Sequence, residues 1–201
     1  ERRTCKAISS IDPYRVSEIP DVDAKIYHLA GLVHGDIGEE IITFSAQKAK
    51  VAVDVQCLLR WVEDGSMVFH DWAQKKEYLP LVDYLKTDAA EAEILTGLSD
   101  RTAAAKQLYD WGAKEVMITH NTEVLVYDGK TIFTQPIKSR NLSGRTGRGD
   151  TTFAGYLNER ISGDIPAALL WATALVSLKM ETPGPFKGAR ADVEAYIKRF
   201  Y

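Results

Sequence analysis

The chain has 201 residues, 45% of them hydrophobic and 26% charged, which is ordinary for a soluble globular protein with room for one sizeable core. Its formal net charge of −3 gives no electrostatic reason to expect nucleic acid or an anionic membrane as a partner. The sequence also lacks an apolar run of membrane-spanning length and the apolar core of a secretory signal peptide. Cys5 and Cys57 show no metal-ligand spacing, which fits one disulfide or, more readily, two thiols in a reducing, cytoplasmic setting.

Loop signals dominate the first 23 residues, where Pro13 and Pro20 act as breakers, although residues 3–8 fit a short strand. Order follows from residue 25 onward. Strands are predicted at residues 25–29, 51–55, 81–85, 116–119, 124–127 and 131–133. Helices are predicted from Gly35 or Asp36 to about residue 44, at 89–95, from Ser99 or Asp100 to 111, and at 151–162, 166–180 and 193–200. The segment 56–77 is predicted as a loop or short hairpin with Asp64-Gly65 as its turn.

The alternation of strand and helix over residues 25–120 predicts an α/β domain in which helices flank a parallel sheet. The turn at Asp128-Gly129 adds an antiparallel hairpin at one edge. We therefore expect residues 1–201 to form a single domain. In such sheets ligands bind beyond the carboxyl ends of the strands.

A glycine-rich stretch, Gly144-Arg145-Thr146-Gly147-Arg148-Gly149-Asp150, comes directly before the predicted helix at residues 151–162. A glycine-rich turn that opens a helix aims backbone N–H groups outward at the positive end of the helix dipole, which makes an anion site. A P-loop would carry a lysine at the position of Asp150. A carboxylate repels phosphate, but it makes sense as the base that takes a proton from an attacking hydroxyl. Taken alone, such a stretch is more often a helix start that the aspartate caps than a catalytic site.

A second polar stretch, Lys86-Thr87-Asp88-Ala89-Ala90-Glu91, follows the strand predicted to end at residue 85. Asp88 and Glu91 are three residues apart, so they face the same way if Asp88 opens a helix. Two carboxylates near phosphates suggest Mg²⁺ held through water. The alternative, which the spacing alone favours, is a capping box in which the two residues satisfy each other's backbone.

Together these stretches resemble the ribokinase-like carbohydrate kinase family of the phosphofructokinase-B type. That family carries Asp-Thr-x-Gly-Ala-Gly-Asp before a helix, and residues 144–150 match it here. The family also carries Lys-x-Asn-x-x-Glu before Leu-Thr-Gly, and here residues 86–91 precede Leu95-Thr96-Gly97. The order of the two motifs, with Pro183-Gly184-Pro185 near the end, makes the resemblance specific.

The resemblance implies a ribokinase-like fold of three layers (α/β/α) and ATP-dependent phosphoryl transfer to a hydroxyl of a sugar or sugar-like small molecule. It implies Asp150 as the catalytic base and Gly147, Arg148 and Gly149 as the anion hole, with ATP and Mg²⁺ as cofactors. The remaining implied contacts are Arg145 and Thr146 for phosphate, Lys86, Thr119 and Asn121 for ATP, and Asp88 and Glu91 for Mg²⁺.

The sequence departs from the family pattern at three places. Gly144 stands where the family has an aspartate, and Arg148 stands where it has an alanine. Residues 119–123 carry neither glycine of the family's nucleotide loop. Guanidinium groups suit phosphate, so we expect Arg148 near the phosphates, whereas Arg145 fits a solvated loop residue equally well.

Two other functions stay open. One is a nucleoside or vitamin kinase of the same fold. The other is a truncated, catalytically silent nucleotide-binding or interaction protein, because the resemblance covers only the carboxyl two-thirds of a family member and because the loop at residues 119–123 is altered. The resemblance implies that residues 1–10 are a remnant of a lid strand. The sheet edge left open by missing strands would invite a partner chain, which would give a homodimer.

Overall fold

The computed structural model describes residues 6–201, and the chain divides into two compact units, Glu1–Met117 and Ile118–Tyr201. Cys5 and half of the strand predicted at residues 3–8 lie outside the described residues. Within them, Lys6 forms an isolated antiparallel bridge with Ser66. Among residues 6–201, none of the helices combines the length and the apolar character needed to cross a bilayer.

The first unit alternates strands and helices as predicted. In chain order it contains β1 (Ile26–Leu29), α1 (Glu39–Ala46), β2 (Lys50–Asp54), α2 (Gln56–Leu59), β3 (Arg60–Glu63), β4 (Ser66–Phe69), α3 (Lys75–Tyr78), β5 (Tyr84–Asp88), α4 (Ala89–Thr96), α5 (Arg101–Asp110) and the start of β6 (Val116–Thr119). Short 3₁₀ turns lie at Val16–Glu18 and Leu79–Leu81.

The sheet of the first unit runs in the order β1-β2-β5-β6, and β1, β2 and β5 are parallel. Val51, Ala52 and Val53 of β2 are fully buried, as expected for a strand covered on both faces. The register pairs Asp54 at the end of β2 with Lys86 in β5. This register brings two charged residues together at the carboxyl ends of neighbouring strands.

Two predicted boundaries in this unit are wrong. The strand predicted at residues 81–85 begins three residues later, because Pro80 lies in the 3₁₀ turn at Leu79–Leu81, so Lys86 lies inside β5. The first helix begins at Glu39 rather than at Asp36. The carboxylate of Asp36 instead accepts the N–H groups of Leu32 at 2.7 Å and Val33 at 2.9 Å, which closes a turn ahead of the helix.

The segment 56–77 holds the predicted short hairpin together with two short helices that the sequence analysis missed. Strands β3 and β4 pair antiparallel, and their turn has positive φ angles of 48° at Asp64 and 74° at Gly65. Helices α2 and α3 have only four residues each, which is too short for helical periodicity to be visible in the sequence.

The second unit contains the end of β6, β7 (Glu123–Tyr127), β8 (Ile132–Pro136), α6 (Arg148–Arg160), α7 (Ile165–Lys179) and α8 (Arg190–Phe200). Strands β7 and β8 form the predicted antiparallel hairpin. Helices α6 and α7 pack closely at Gly155, where a Cβ would lie 2.7 Å from Cδ2 of Leu175. Helix α6 begins three residues earlier than predicted, so the end of the glycine-rich stretch forms its first turn.

Candidate functional site

The glycine-rich stretch forms a turn that feeds directly into α6. Gly147 occupies the N-cap position with a φ of 75°, a left-handed conformation that favours glycine. The first hydrogen bond of the helix runs from the N–H of Thr151 to the carbonyl of Gly147 at 3.0 Å. The amides that precede this bond have no acceptor within the helix, and a glycine N-cap offers them no side chain. The start of α6 thus has the geometry of an anion site.

Asp150 lies in the first turn of α6 and is exposed. It is not the helix cap, because Gly147 holds that position, so the capping interpretation of Asp150 is wrong. A Cβ on Gly147 would lie 3.7 Å from Oδ2 of Asp150, which puts the carboxylate beside the turn rather than away from it. The carboxylate is therefore open to a small molecule that approaches the helix start.

Lys179, which the sequence analysis did not single out, lies behind the same turn. It is the last residue of α7, and only 2% of its surface is exposed. Its ammonium group donates to the carbonyl oxygen of Gly144 at 2.6 Å and to that of Thr146. Burial lowers the pKa of Lys179, and the carboxylate of Asp150 opposes that change. The one sequence signal for this residue is a lysine at the end of a helix that carries no other charged side chain.

Arg148 and Asn121, predicted separately as phosphate and nucleotide contacts, are hydrogen-bonded to each other. Nη1 of Arg148 donates to Oδ1 of Asn121 at 2.6 Å. Asn121 is exposed and lies in the turn between β6 and β7, whereas Thr119 is buried at the end of β6. Arg145 is half-buried in the turn. The bond to Asn121 fixes one guanidinium group next to the amides of the helix start.

Gly144 is required by close packing rather than by a special φ. A Cβ at this position would lie 1.9 Å from the carbonyl oxygen of Thr182. Its N–H donates to the carbonyl of Met180 at 2.7 Å. The turn is thereby attached to the backbone at the end of α7, and the aspartate that the family carries here would not fit this backbone approach.

The second polar stretch, in the first unit, forms a buried ion cluster. Nζ of Lys86 lies 3.1 and 2.9 Å from the two carboxylate oxygens of Asp54 and 3.9 Å from Oε2 of Glu91. All three side chains are about 5% exposed. Asp54 lies in the strand predicted at residues 51–55 and is not among the predicted site residues. Its signal was an acidic residue within the otherwise apolar strand at residues 51–55.

Burial raises the pKa of Glu91 to about 7, and Lys86 only partly counteracts this. For Lys86, burial favours the neutral amine, but Asp54 and Glu91 outweigh it, so the pKa of Lys86 is raised. Lys86 therefore stays charged at neutral pH, and Glu91 changes its charge close to neutral pH.

Asp88 and Glu91 form the capping box of α4. The N–H of Glu91 donates to Oδ1 of Asp88 at 2.8 Å, and the N–H of Asp88 donates to Oε2 of Glu91 at 2.7 Å. Each carboxylate keeps a second oxygen that these two bonds do not use. Between residues 6 and 201, no group of three or more His, Cys, Asp or Glu side chains is arranged to hold a metal ion directly.

A cavity of about 490 Å³ in the second unit is lined by aromatic and charged residues that include Phe186, Tyr196 and Arg140. Asp150 is not among its lining residues, so this cavity does not define the site at the start of α6.

The family of pfkB carbohydrate kinases matches residues 18–190. A cytidine kinase of Thermococcus kodakarensis is 38% identical over 150 residues, which cover 71% of this chain and 51% of the relative. The chain thus spans about half the length of this curated relative.

Solved structures similar to this chain are ribokinase-family kinases. A pyrophosphate-dependent kinase of that family, complexed with a pyrophosphate analog and myo-inositol, is 34% identical with a TM-score of 0.88, and the match covers 94% of this chain and 69% of that one. Arabidopsis thaliana ribokinase complexed with ribose and ATP is 21% identical with a TM-score of 0.71, covering 87% and 56%. The fold predicted from the sequence, a ribokinase-like sheet flanked by helices, is confirmed.

Proposed function

Because the chain belongs to the pfkB family of carbohydrate kinases, we propose that it carries the phosphoryl-transfer site of a kinase that acts on a hydroxyl of a sugar or sugar-like small molecule. The observation that carries the proposal is the exposed carboxylate of Asp150 in the first turn of α6, next to the anion site. A group that only capped the helix would bond to the backbone N–H groups, whereas a base must face the acceptor.

In the proposed reaction, Asp150 takes the proton of the acceptor hydroxyl while the oxygen attacks the terminal phosphorus of the donor. The bond from that phosphorus to its bridging oxygen breaks, which releases ADP from ATP or phosphate from pyrophosphate. The amides of residues 147–149 stabilise the negative charge that develops on that group. Donors of this kind each contribute roughly 3–4 kcal/mol to the transition state. The guanidinium of Arg148 adds a fixed positive charge at the same position.

A Mg²⁺ ion fits the second polar stretch, in the first unit, as an ion held through water. The second oxygens of Asp88 and Glu91 suit a Mg²⁺ ion that keeps its water shell, and the ion would neutralise charge on the donor phosphates. Thr119 remains a candidate contact for ATP. Lys86 is better suited to holding Glu91 in position than to meeting a phosphate, because its ammonium is buried against Asp54.

The donor is either ATP or pyrophosphate. Family resemblance favours ATP, which is bound to the ribokinase neighbour. The contact between Arg148 and Asn121 favours pyrophosphate. Asn121 is the predicted contact for ATP, but its side-chain oxygen accepts a hydrogen bond from the guanidinium group of Arg148. Two neighbours that are 34% and 32% identical are described as pyrophosphate-dependent. A donor such as pyrophosphate, which has no nucleoside, is bound by cationic groups and needs no pocket for a nucleobase.

The acceptor classes to test are those of the relatives: ribose, myo-inositol and cytidine. The decisive experiment offers each acceptor to the purified full-length protein with Mg·ATP and with Mg·pyrophosphate, and follows phosphorylated product by mass. Turnover with any pair supports the proposal and identifies donor and acceptor together.

Calorimetry with the same donors separates the silent alternative. A donor that binds while no acceptor is phosphorylated would point to a nucleotide-binding or interaction protein. In that case the kinase proposal fails even though the fold is right.

A further inference from the structure

The ammonium of Lys179 is enclosed in the backbone of the anion site. It hydrogen-bonds to the carbonyl oxygens of Gly144 and Thr146, on either side of Arg145. A Cβ on Gly147 would lie 4.0 Å from its nitrogen, so the positive charge lies next to the N-cap residue of α6.

Burying a lysine in this way is costly, because a charged group leaves water and lysine is among the residues least often buried. Carbonyl oxygens that converge on one cation can replace its hydration shell, as they do around free monovalent ions. The neighbouring Asp150 carboxylate adds an opposite charge. The last turn of α7 also favours a cation through the helix dipole.

The two hydrogen bonds from Lys179 fix the orientation of the peptide units in the turn. When the carbonyls of Gly144 and Thr146 point inward to the ammonium, the peptide units beyond them are held in one orientation. The amides that open α6 then face outward. A neutral side chain at position 179 would leave the carbonyl oxygens of Gly144 and Thr146 without their cation.

We propose that Lys179 is a positioning residue whose ammonium serves as a built-in monovalent cation for the phosphate-binding turn, so that phosphoryl transfer by this protein needs no free potassium or ammonium ion. The measurement of turnover rests on the proposed function. The measurement of the thermal unfolding midpoint in different salts does not, because it reports only whether the turn binds an added cation.

The test compares two variants that both remove the charge. Lys179→Ala leaves space that a free ion can enter, whereas Lys179→Met fills the space with an apolar chain of similar length. Lys198→Ala, an exposed lysine on α8, is the matched control. Turnover and the thermal unfolding midpoint are measured in potassium, ammonium, sodium and choline chloride at equal ionic strength.

Wild-type protein and Lys198→Ala are expected to show the same turnover in all four salts. Lys179→Ala is expected to lose about 100-fold in kcat in choline, a loss comparable to removing one oxyanion donor, and to regain at least about tenfold of it in potassium or ammonium. Lys179→Met is expected to stay inactive in every salt, which a general salt effect would not explain.

Several outcomes would overturn the inference. One is a wild-type enzyme that requires potassium or ammonium; another is a Lys179→Met variant with near-normal kcat. If the wild type transfers no phosphoryl group at all, the proposed function fails, and the thermal unfolding midpoints then test whether Lys179 acts as a built-in cation. Potassium or ammonium should raise the midpoint of Lys179→Ala alone, and an equal rise in all proteins would contradict the inference. If Lys179→Ala does not fold, the salt response of the wild type and of Lys179→Met still decides it.

Discussion

Arg148 in the first turn of α6 is hydrogen-bonded through Nη1 to Oδ1 of Asn121 in the turn between β6 and β7, at 2.6 Å. This bond links an arginine at the anion site to a residue of the predicted nucleotide loop. The two residues should therefore act as a unit when the donor binds.

We expect Arg148→Ala to raise KM for the phosphate donor by about 10- to 100-fold, since hydrogen bonds to charged groups are worth roughly 1.5–3 kcal/mol. Asn121→Ala should raise it less. In the double variant the two effects should not add, because each change removes the same contact. Steady-state kinetics with the donor varied tests this, and strictly additive effects would show that Asn121 contacts the donor independently of Arg148.

Gly144→Ala should destabilise the protein by about 3 kcal/mol or more, the upper range for overpacking. Its Cβ would collide with the carbonyl of Thr182. Gly184→Ala is the control, because Gly184 has a φ of 87° but no atom within 4 Å of its would-be Cβ. That variant should lose only about 1–2 kcal/mol through left-handed strain. Urea unfolding measures both, and equal losses would argue against the close packing of the turn.

Asp88→Ala should lose about 1 kcal/mol of stability with the cap of α4, and should also raise the Mg²⁺ concentration for half-maximal turnover by roughly tenfold, as for other residues that hold a metal indirectly. Asp100→Ala provides the matched comparison. Asp100 caps α5 through the N–H of Ala103 at 2.7 Å and has no proposed metal role. If both variants show the same Mg²⁺ dependence as the wild type, Asp88 is only a cap.

Glu91 gives the protein a pH-dependent stability. Burial raises the pKa of Glu91 to about 7, whereas in the unfolded chain it titrates near about 4.3. Between these values the folded protein holds a proton that the unfolded chain has released. The stabilisation is complete below about pH 4 and is lost as the pH rises through about 7.

Glu91→Gln does not titrate, so the difference in free energy of unfolding between the two proteins isolates this residue. The wild type should lose about 3–4 kcal/mol relative to Glu91→Gln between pH 4 and pH 8, roughly 1.4 kcal/mol for each pKa unit. Urea unfolding across this range measures the difference, and parallel stability curves would contradict the raised pKa.

The sequence predicted those elements whose pattern is local. The apolar run at residues 51–55 and the Asp128-Gly129 turn needed no tertiary information, and β2 and the β7–β8 hairpin match them. The errors occur where a side chain or a proline redirects the backbone. The carboxylate of Asp36 accepts backbone N–H groups in a turn where the first helical turn was predicted. Pro80 lies in a 3₁₀ turn, so β5 begins later than predicted.

The two motifs at residues 86–91 and 144–150 are visible as local sequence patterns, whereas the charged groups that contact them, Asp54 and Lys179, are not. Lys179 contacts carbonyls 33 and 35 residues away, and backbone carbonyls leave no residue-type signal. The pair of Lys86 with Asp54 depends on the register of β2 and β5, which is fixed only when the sheet forms. Lys179 and Asp54, which were not predicted, are both charged residues in otherwise apolar segments.

The most direct test of the central claim is the single-turnover rate of phosphoryl transfer by Asp150→Asn with the best donor and acceptor. Because the side chain is exposed and does not cap α6, the variant should keep the wild-type unfolding midpoint. Its transfer rate should fall by about 10²- to 10⁴-fold, the range for loss of a general base. A folded Asp150→Asn protein with a near-normal rate would contradict the assignment of Asp150 as the base.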